Sequence, residues 1–175
     1  MNINDIRQRT AYDPKTAQNV RETTRTFLNS ISKQYPIAIT LTFKQSYAVH
    51  TCTGMHYRKL DIDAVKQSVK HFQHKMNQQV FGSAAKRHGK GLSYIPVVEG
   101  VRTGKNLHVH MAVGNIPAHV MFNEIEALVN KAKLSVELLD KQHKVALAYD
   151  SGWLAEYLLK EVTANNTDNI LWDLA

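Results

Sequence analysis

Residues 106–114 read NLHVHMAVG, and the two-residue alternation in this stretch decides the fold. Successive side chains of a strand point to opposite faces. Leu107, Val109, Met111 and Val113 therefore share one face, and His108, His110 and Ala112 share the other. The apolar set requires a covering layer. The other set stands two imidazoles side by side, about 7 Å apart between Cα atoms, where neutral imidazoles converge on a divalent metal. A bare His-x-His also fits two surface histidines on a half-exposed strand, so a third ligand decides between the readings.

Glu99 supplies that ligand. It lies at the end of the preceding strand, LSYIPVVEG (92–100), and the basic turn VRTGK (101–105) folds this strand back antiparallel on the histidine strand. With Glu99 opposite or diagonal to His108, a carboxylate and two imidazoles meet. Such a mixed oxygen and nitrogen set, with positions left for water or phosphate, suits Mg²⁺ or Mn²⁺ acting as a Lewis acid.

Working outward, PIAITLTFK (36–44) alternates Ile37, Ile39, Leu41 and Phe43 with Ala38, Thr40 and Thr42, a half-buried strand with a hydroxyl-bearing open face. Residues 16–34 read as an amphipathic helix with Val20, Phe27 and Ile31 near one face, closed by Pro36. Residues 44–60 have little periodicity and read as a loop. LDIDAVKQSVKHFQHKMNQQVFG (60–82) carries Val65, Val69, Phe72, Met76 and Val80 at helical spacing, ended by Gly82. SAAKRHGKG (83–91) reads as a basic loop, and 116–133 as a helix. LSVELL (134–139) and VALAYD (145–150) read as two strands around the turn DKQHK (140–144). SGWLAEYLLKEV (151–162) reads as a short helix with Ser151 as N-cap. These elements predict an α+β fold: a central, mainly antiparallel sheet of about five strands, covered by helices on one side.

The last helix carries a second constellation. Leu154, Ala155, Leu158, Leu159 and Val162 form its apolar arc, while Tyr157 and Lys160 lie off that arc, three residues apart on one side. A phenol beside an ammonium is a nucleophile with a cation placed to stabilise developing negative charge. An amphipathic helix with a boundary tyrosine and a solvated lysine has the same pattern.

Length and charge narrow the classes. The 175 residues suffice for one domain with a core, and 43% hydrophobic with 21% charged residues is a globular balance. Cys52 is the lone cysteine, which excludes an intramolecular disulfide framework and a multi-cysteine zinc site. No apolar run approaches the ~20 residues of a membrane span. The start MNINDIRQRTAYDPK lacks a signal-peptide core, so a cytoplasmic protein without membrane contact is expected. The net charge of +7 favours a polyanionic partner.

In order, the Thr-rich strand (ITLTF), the His-hydrophobic-His strand (HVH) and the Tyr-x-x-Lys helix (YLLK) resemble the HUH endonuclease superfamily, over residues 36–162. The nearest branch is the single-tyrosine replication initiators of rolling-circle plasmids, phages and small single-stranded DNA viruses. The resemblance implies one domain over 1–175, with an N-terminal helical extension (1–35), a catalytic core (36–162) and a tail (163–175). It makes His108, His110 and Glu99 metal ligands, with Glu161 where some members carry an acidic residue near the metal. It makes Tyr157 the nucleophile and Lys160 its auxiliary cation, and it places Thr40 and Thr42 in a strand associated with DNA contact and support of the site. Lys86, Arg87, Arg102 and Lys105 are candidates for phosphate contacts.

The expected activity is nicking and joining of single-stranded DNA at a replication origin through a 5′-phosphotyrosine. No GxxxxGK[ST] occurs, so a separate helicase, and a polymerase, would complete replication. A transposase or relaxase of the same superfamily, a water-using phosphohydrolase and a non-catalytic single-strand-binding module are the alternatives. The open-face positions Thr, Thr, His, His, rather than paired aromatics, disfavour the binding module.

Overall fold

Ile37, Ile39, Leu41 and Phe43 alternate with smaller residues and build β1 (Ile37–Phe43), an interior strand. The chain is described by a computed structural model over residues 14–101, 106–147, 153–159 and 169–175. The expectations for Arg102, Lys105, Ser151, Lys160 and Glu161 lie outside the described residues. The architecture is α+β. β4 (Ser93–Glu99), β5 (His108–Gly114) and β6 (Leu139–Leu147) join β1 in a four-stranded sheet of order β4-β5-β1-β6, and every pairing is antiparallel.

One face of the sheet holds the larger core. Ile37, Ile39, Leu41, Val109, Met111 and Val113 pack beneath α2 (Ile62–Phe81) and α4 (Phe122–Lys133), which contribute Val65, Val69, Phe72, Met76, Ile125 and Val129. Asp61 caps α2 by accepting a 2.8 Å bond from the Ala64 N–H, which satisfies one of the first-turn donors. Gly114 ends β5 where no side chain fits, since a Cβ there would lie 2.2 Å from the Gln34 carbonyl oxygen.

The opposite face is covered as well, which corrects the expectation of helices on one side only. Ile95, Val97 and Ala112 pack against Leu28 of α1 (Pro14–Ile31), Leu154, Ala155 and Leu158 of α5 (Trp153–Leu158), and Ile170. The N-terminal helix is thus part of a second core, and its buried anchor is Leu28; Val20 and Phe27 are exposed. Beyond β4, Ile170 bridges Val97, and the Val98 and Leu171 N–H groups bond Asn169 and Pro96 carbonyls. This short tail blunts what would be an open strand edge.

Three further segments differ from expectation. Residues 44–60 contain a ribbon, β2 (Ser46–Thr51) paired antiparallel with β3 (Gly54–Lys59). It is largely exposed on both faces, so no apolar alternation marks it in the sequence. Its turn uses Gly54 at φ 126°, a backbone conformation that side chains strain. Residues 83–88 form a short helix, α3 (Ser83–His88), rather than loop, and α4 starts only at Phe122. DKQHK lies inside β6, so the sheet has four strands; Asp140, Lys141 and Lys144 are the charged residues of an exposed edge strand and mimic a turn.

Candidate metal centre and nucleophile

The β4–β5 register places Glu99 directly opposite His108, and the β1–β5 register places Thr40 opposite His110 and Thr42 opposite His108. Four of these five side chains, Glu99, His108, His110 and Thr40, meet on the face covered by α5. The Glu99 carboxylate Oε2 lies 3.2 Å from His108 Nε2 and 3.1 Å from His110 Nε2. Glu99 and His110 are buried, and His108 is half-buried toward the end of the sheet. A covered site is drier than the open face expected from sequence, and charge interactions within it are correspondingly stronger.

These residues fit a divalent cation. Each offers one ligand atom, all within 4.8 Å of one another, and Glu99 Oε1 is buried with no hydrogen-bond partner among the described residues. The ring of His108 adds to the case. Its Nδ1–H donates to the Asn106 carbonyl at 3.0 Å, so in the neutral tautomer a bare Nε2 faces the carboxylate. Two lone pairs at that separation call for a proton or a cation between them. Burial alone would raise the Glu99 carboxyl, but hydrogen bonds and charge from His108 and His110 in their protonated form hold it at about 2. It is therefore a carboxylate at neutral pH, the form that ligates metal.

Tyr157 reaches the same cluster from α5. Its ring packs edge-on against His110 with centroids 4.4 Å apart, and lies tilted at 46° to the Trp153 ring with centroids 5.4 Å apart. The Thr40 hydroxyl links the two: Oγ1 lies 2.5 Å from Tyr157 Oη and 3.1 Å from His110 Nδ1. Burial raises the Tyr157 phenol above its ordinary value, the Thr40 hydrogen bond lowers it, and the Glu99 charge raises it again. A cation held by Glu99 would offset the last of these.

Thr40, expected in DNA contact and support of the site, connects the nucleophile candidate to a ligand candidate. Thr42 donates instead to the Gln142 carbonyl at 2.7 Å, at an irregularity in the β1–β6 pairing. Lys86 and Arg87 are remote. α3 follows the end of α2, where Asn77 accepts from the Leu92 N–H, and the length of β4, roughly 20 Å, separates that end of the sheet from Glu99. Gln45 was not foreseen. Its amide oxygen accepts from the Leu107 N–H at 2.8 Å, and its NH₂ donates to the Phe43 and Leu107 carbonyls. This two-sided clamp sets the backbone just before His108, and an isolated Gln after a strand gives no sequence signal of it.

No protein-family model matches this chain, and neither a curated protein nor a solved structure matches it significantly. Among the described residues, no helix is long and apolar enough to cross a membrane.

Proposed function

We propose that this protein is a metal-dependent endonuclease and strand transferase for single-stranded DNA, of the HUH replication-initiator type. The observation that carries the reading is the continuous chain from Glu99 through His110 and Thr40 to Tyr157. A tyrosine that served packing alone would have no need of an oxygen aimed at a ligand-bearing cluster.

Glu99, His108 and His110 would hold Mg²⁺ or Mn²⁺, which supplies Lewis-acid polarisation of a phosphodiester when bound. Tyr157 Oη attacks phosphorus in line. The Tyr–O–P bond forms as the P–O3′ bond breaks; the phenol gives up its proton and the departing 3′ oxygen takes one up. The DNA 5′ end stays on Tyr157, and the 3′-OH is free to prime a polymerase. The ester conserves the phosphodiester, so the step reverses without a nucleoside triphosphate. Thr40 holds the attacking oxygen, and the α5 cover excludes water that would hydrolyse the ester. By the resemblance, Lys160 is the auxiliary cation and Glu161 an additional acid near the metal. Initiation of rolling-circle replication, with a separate helicase, is the biological role this chemistry serves.

The test incubates the protein with candidate-origin and random single-stranded oligonucleotides plus Mn²⁺ and looks for an adduct on a denaturing gel. Wild type should form it, while Tyr157→Phe and chelator-treated wild type should not. Cleaved DNA without adduct would identify a water-using phosphohydrolase instead.

A further inference from the structure

The β2–β3 ribbon rises from the same end of the sheet as the metal centre. β1 leads into it just past Thr42, which lies opposite His108, and Gln45 ties its base to Leu107. At the base of the ribbon lies a cleft of about 340 Å³ lined by Gln45, Lys59, Asp61, Gly100, Asn106 and Leu107, the last three next in sequence to Glu99 or close before His108. One face of the ribbon contributes nothing to either core. Along it, Ser46 pairs with Lys59, Ala48 with Tyr57 and His50 with Met55, and all six are exposed. Tyr57 is 73% exposed and Met55 54%, large for apolar groups on a surface without a covering element.

The pairing explains the exposure. Directly opposite residues shield one another across an antiparallel ladder, and Ala48 is too small to cover a phenol ring. The ring therefore presents its face to solvent, with Lys59 beside it on the same side. Residues 44–60 include Lys44, Arg58 and Lys59 and no Asp or Glu; Arg58 pairs with Asp61 at 2.7 Å. Uncovered aromatic faces in a cationic setting are what single-stranded nucleic acid recognises: bases stack on the ring and phosphates meet the ammonium groups. A duplex offers neither an unstacked base nor a reason for the ring to stay bare.

We propose that this ribbon face is a second single-stranded DNA contact, in which Tyr57 stacks a base of the strand flanking the scissile phosphate and Lys59 meets its backbone. It rests on the reading that the metal centre acts on single-stranded DNA. Tyr57 holds the strand and takes no part in bond breaking.

The test measures binding of a labelled single-stranded mixed-sequence oligonucleotide in chelator, in a Tyr157→Phe background where no cleavage competes. Tyr57→Ala should weaken binding about five- to hundred-fold, and Tyr57→Phe should bind like the parent because the ring is kept. Lys59→Gln should reduce the log–log salt slope by about 0.7. Thermal midpoints should stay unchanged, since these side chains are exposed. Binding by Tyr57→Ala equal to the parent, an equal loss in Tyr57→Phe, or tighter binding of the same sequence as duplex would overturn the proposal. Adduct formation by Tyr57→Ala with Tyr157 intact separates this proposal from the catalytic one. It should still occur, but should need more DNA to reach half its maximal rate, by about the factor lost in binding. Loss of binding without any wild-type adduct would leave the ribbon standing and remove the nicking reading.

Discussion

Thr40 has one hydroxyl proton and two hydrogen-bonded neighbours, so the direction of its bonds is coupled to the state of His110. With His110 Nε2 as a ligand atom, the ring proton sits on Nδ1 and donates to Thr40 Oγ1. The Thr40 proton then points at Tyr157 Oη, which holds that oxygen as an acceptor and eases formation of the phenolate. Thr40→Val keeps the shape and removes the relay. Adduct formation at saturating DNA should fall about 5–150-fold, the ~1–3 kcal/mol of an unsatisfied buried polar group. Mn²⁺ affinity by calorimetry should change little, and Thr40→Ser should restore most of the rate. A valine variant as fast as wild type would leave Thr40 as filler. Much of this cluster was readable in advance: alternation puts His108 and His110 on one face, and a short turn brings Glu99 against them. The Thr40 link was not, because it depends on pairing strands seventy positions apart and on where α5 docks, neither of which leaves a local pattern.

Elements that bury a whole face announce themselves and elements that bury little do not, which is why α2 is legible and the β2–β3 ribbon, with only Tyr47 packed against the core, is not. β6 misleads in another way, since Asp140 and Lys141 break an apolar run on an edge strand without ending it. That same edge is tied to α4 by a buried lysine: Lys133 Nζ donates to the Lys141 carbonyl and to His143 Nδ1. Across the ring, His143 Nε2 lies 3.7 Å from Glu126 Oε1. Burial lowers the His143 pKa from 6.5 and the Lys133 charge lowers it further, against the raising effects of Glu126 and the Lys141 backbone. The unfolded chain therefore takes up this proton at a higher pH than the folded one. Stability from this contact is present above 6.5 and is lost as pH falls from there through the lowered folded value. His143→Gln, which retains a polar partner for Lys133, should show a smaller fall in urea midpoint over that interval than wild type. Parallel midpoint curves for the two proteins would exclude His143 as the source.

At the scale of the whole molecule, two layers of helices sandwich one sheet, and the reactive groups sit within the less regular layer, under α5 and beside the docked tail. Both helices of the second layer are legible in the sequence, but not the side of the sheet they cover: Leu28, the arc from Leu154 to Leu159, and Ile170 come from three separate segments, and no local pattern says where each docks. Among the described tyrosines, only Tyr157 reaches the cluster; Tyr94 is buried under the other face with its hydroxyl on Asn77, and Tyr57 stands on the ribbon. On the proposed function, a protomer that has cut holds a DNA end with no second tyrosine of the described residues beside it to start another cleavage. The favoured resolution is attack by a DNA 3′-OH, because cutting and joining pass through one transition state and use the same groups. Purified adduct given a matching 3′-OH strand and Mn²⁺ should yield a joined oligonucleotide of hybrid length and release free protein. Thr40→Val should slow this joining by the same factor as cutting. The measurement is a labelled acceptor strand chased into preformed adduct, and an adduct that only hydrolyses, with no hybrid strand, would remove strand transfer from the protein's chemistry.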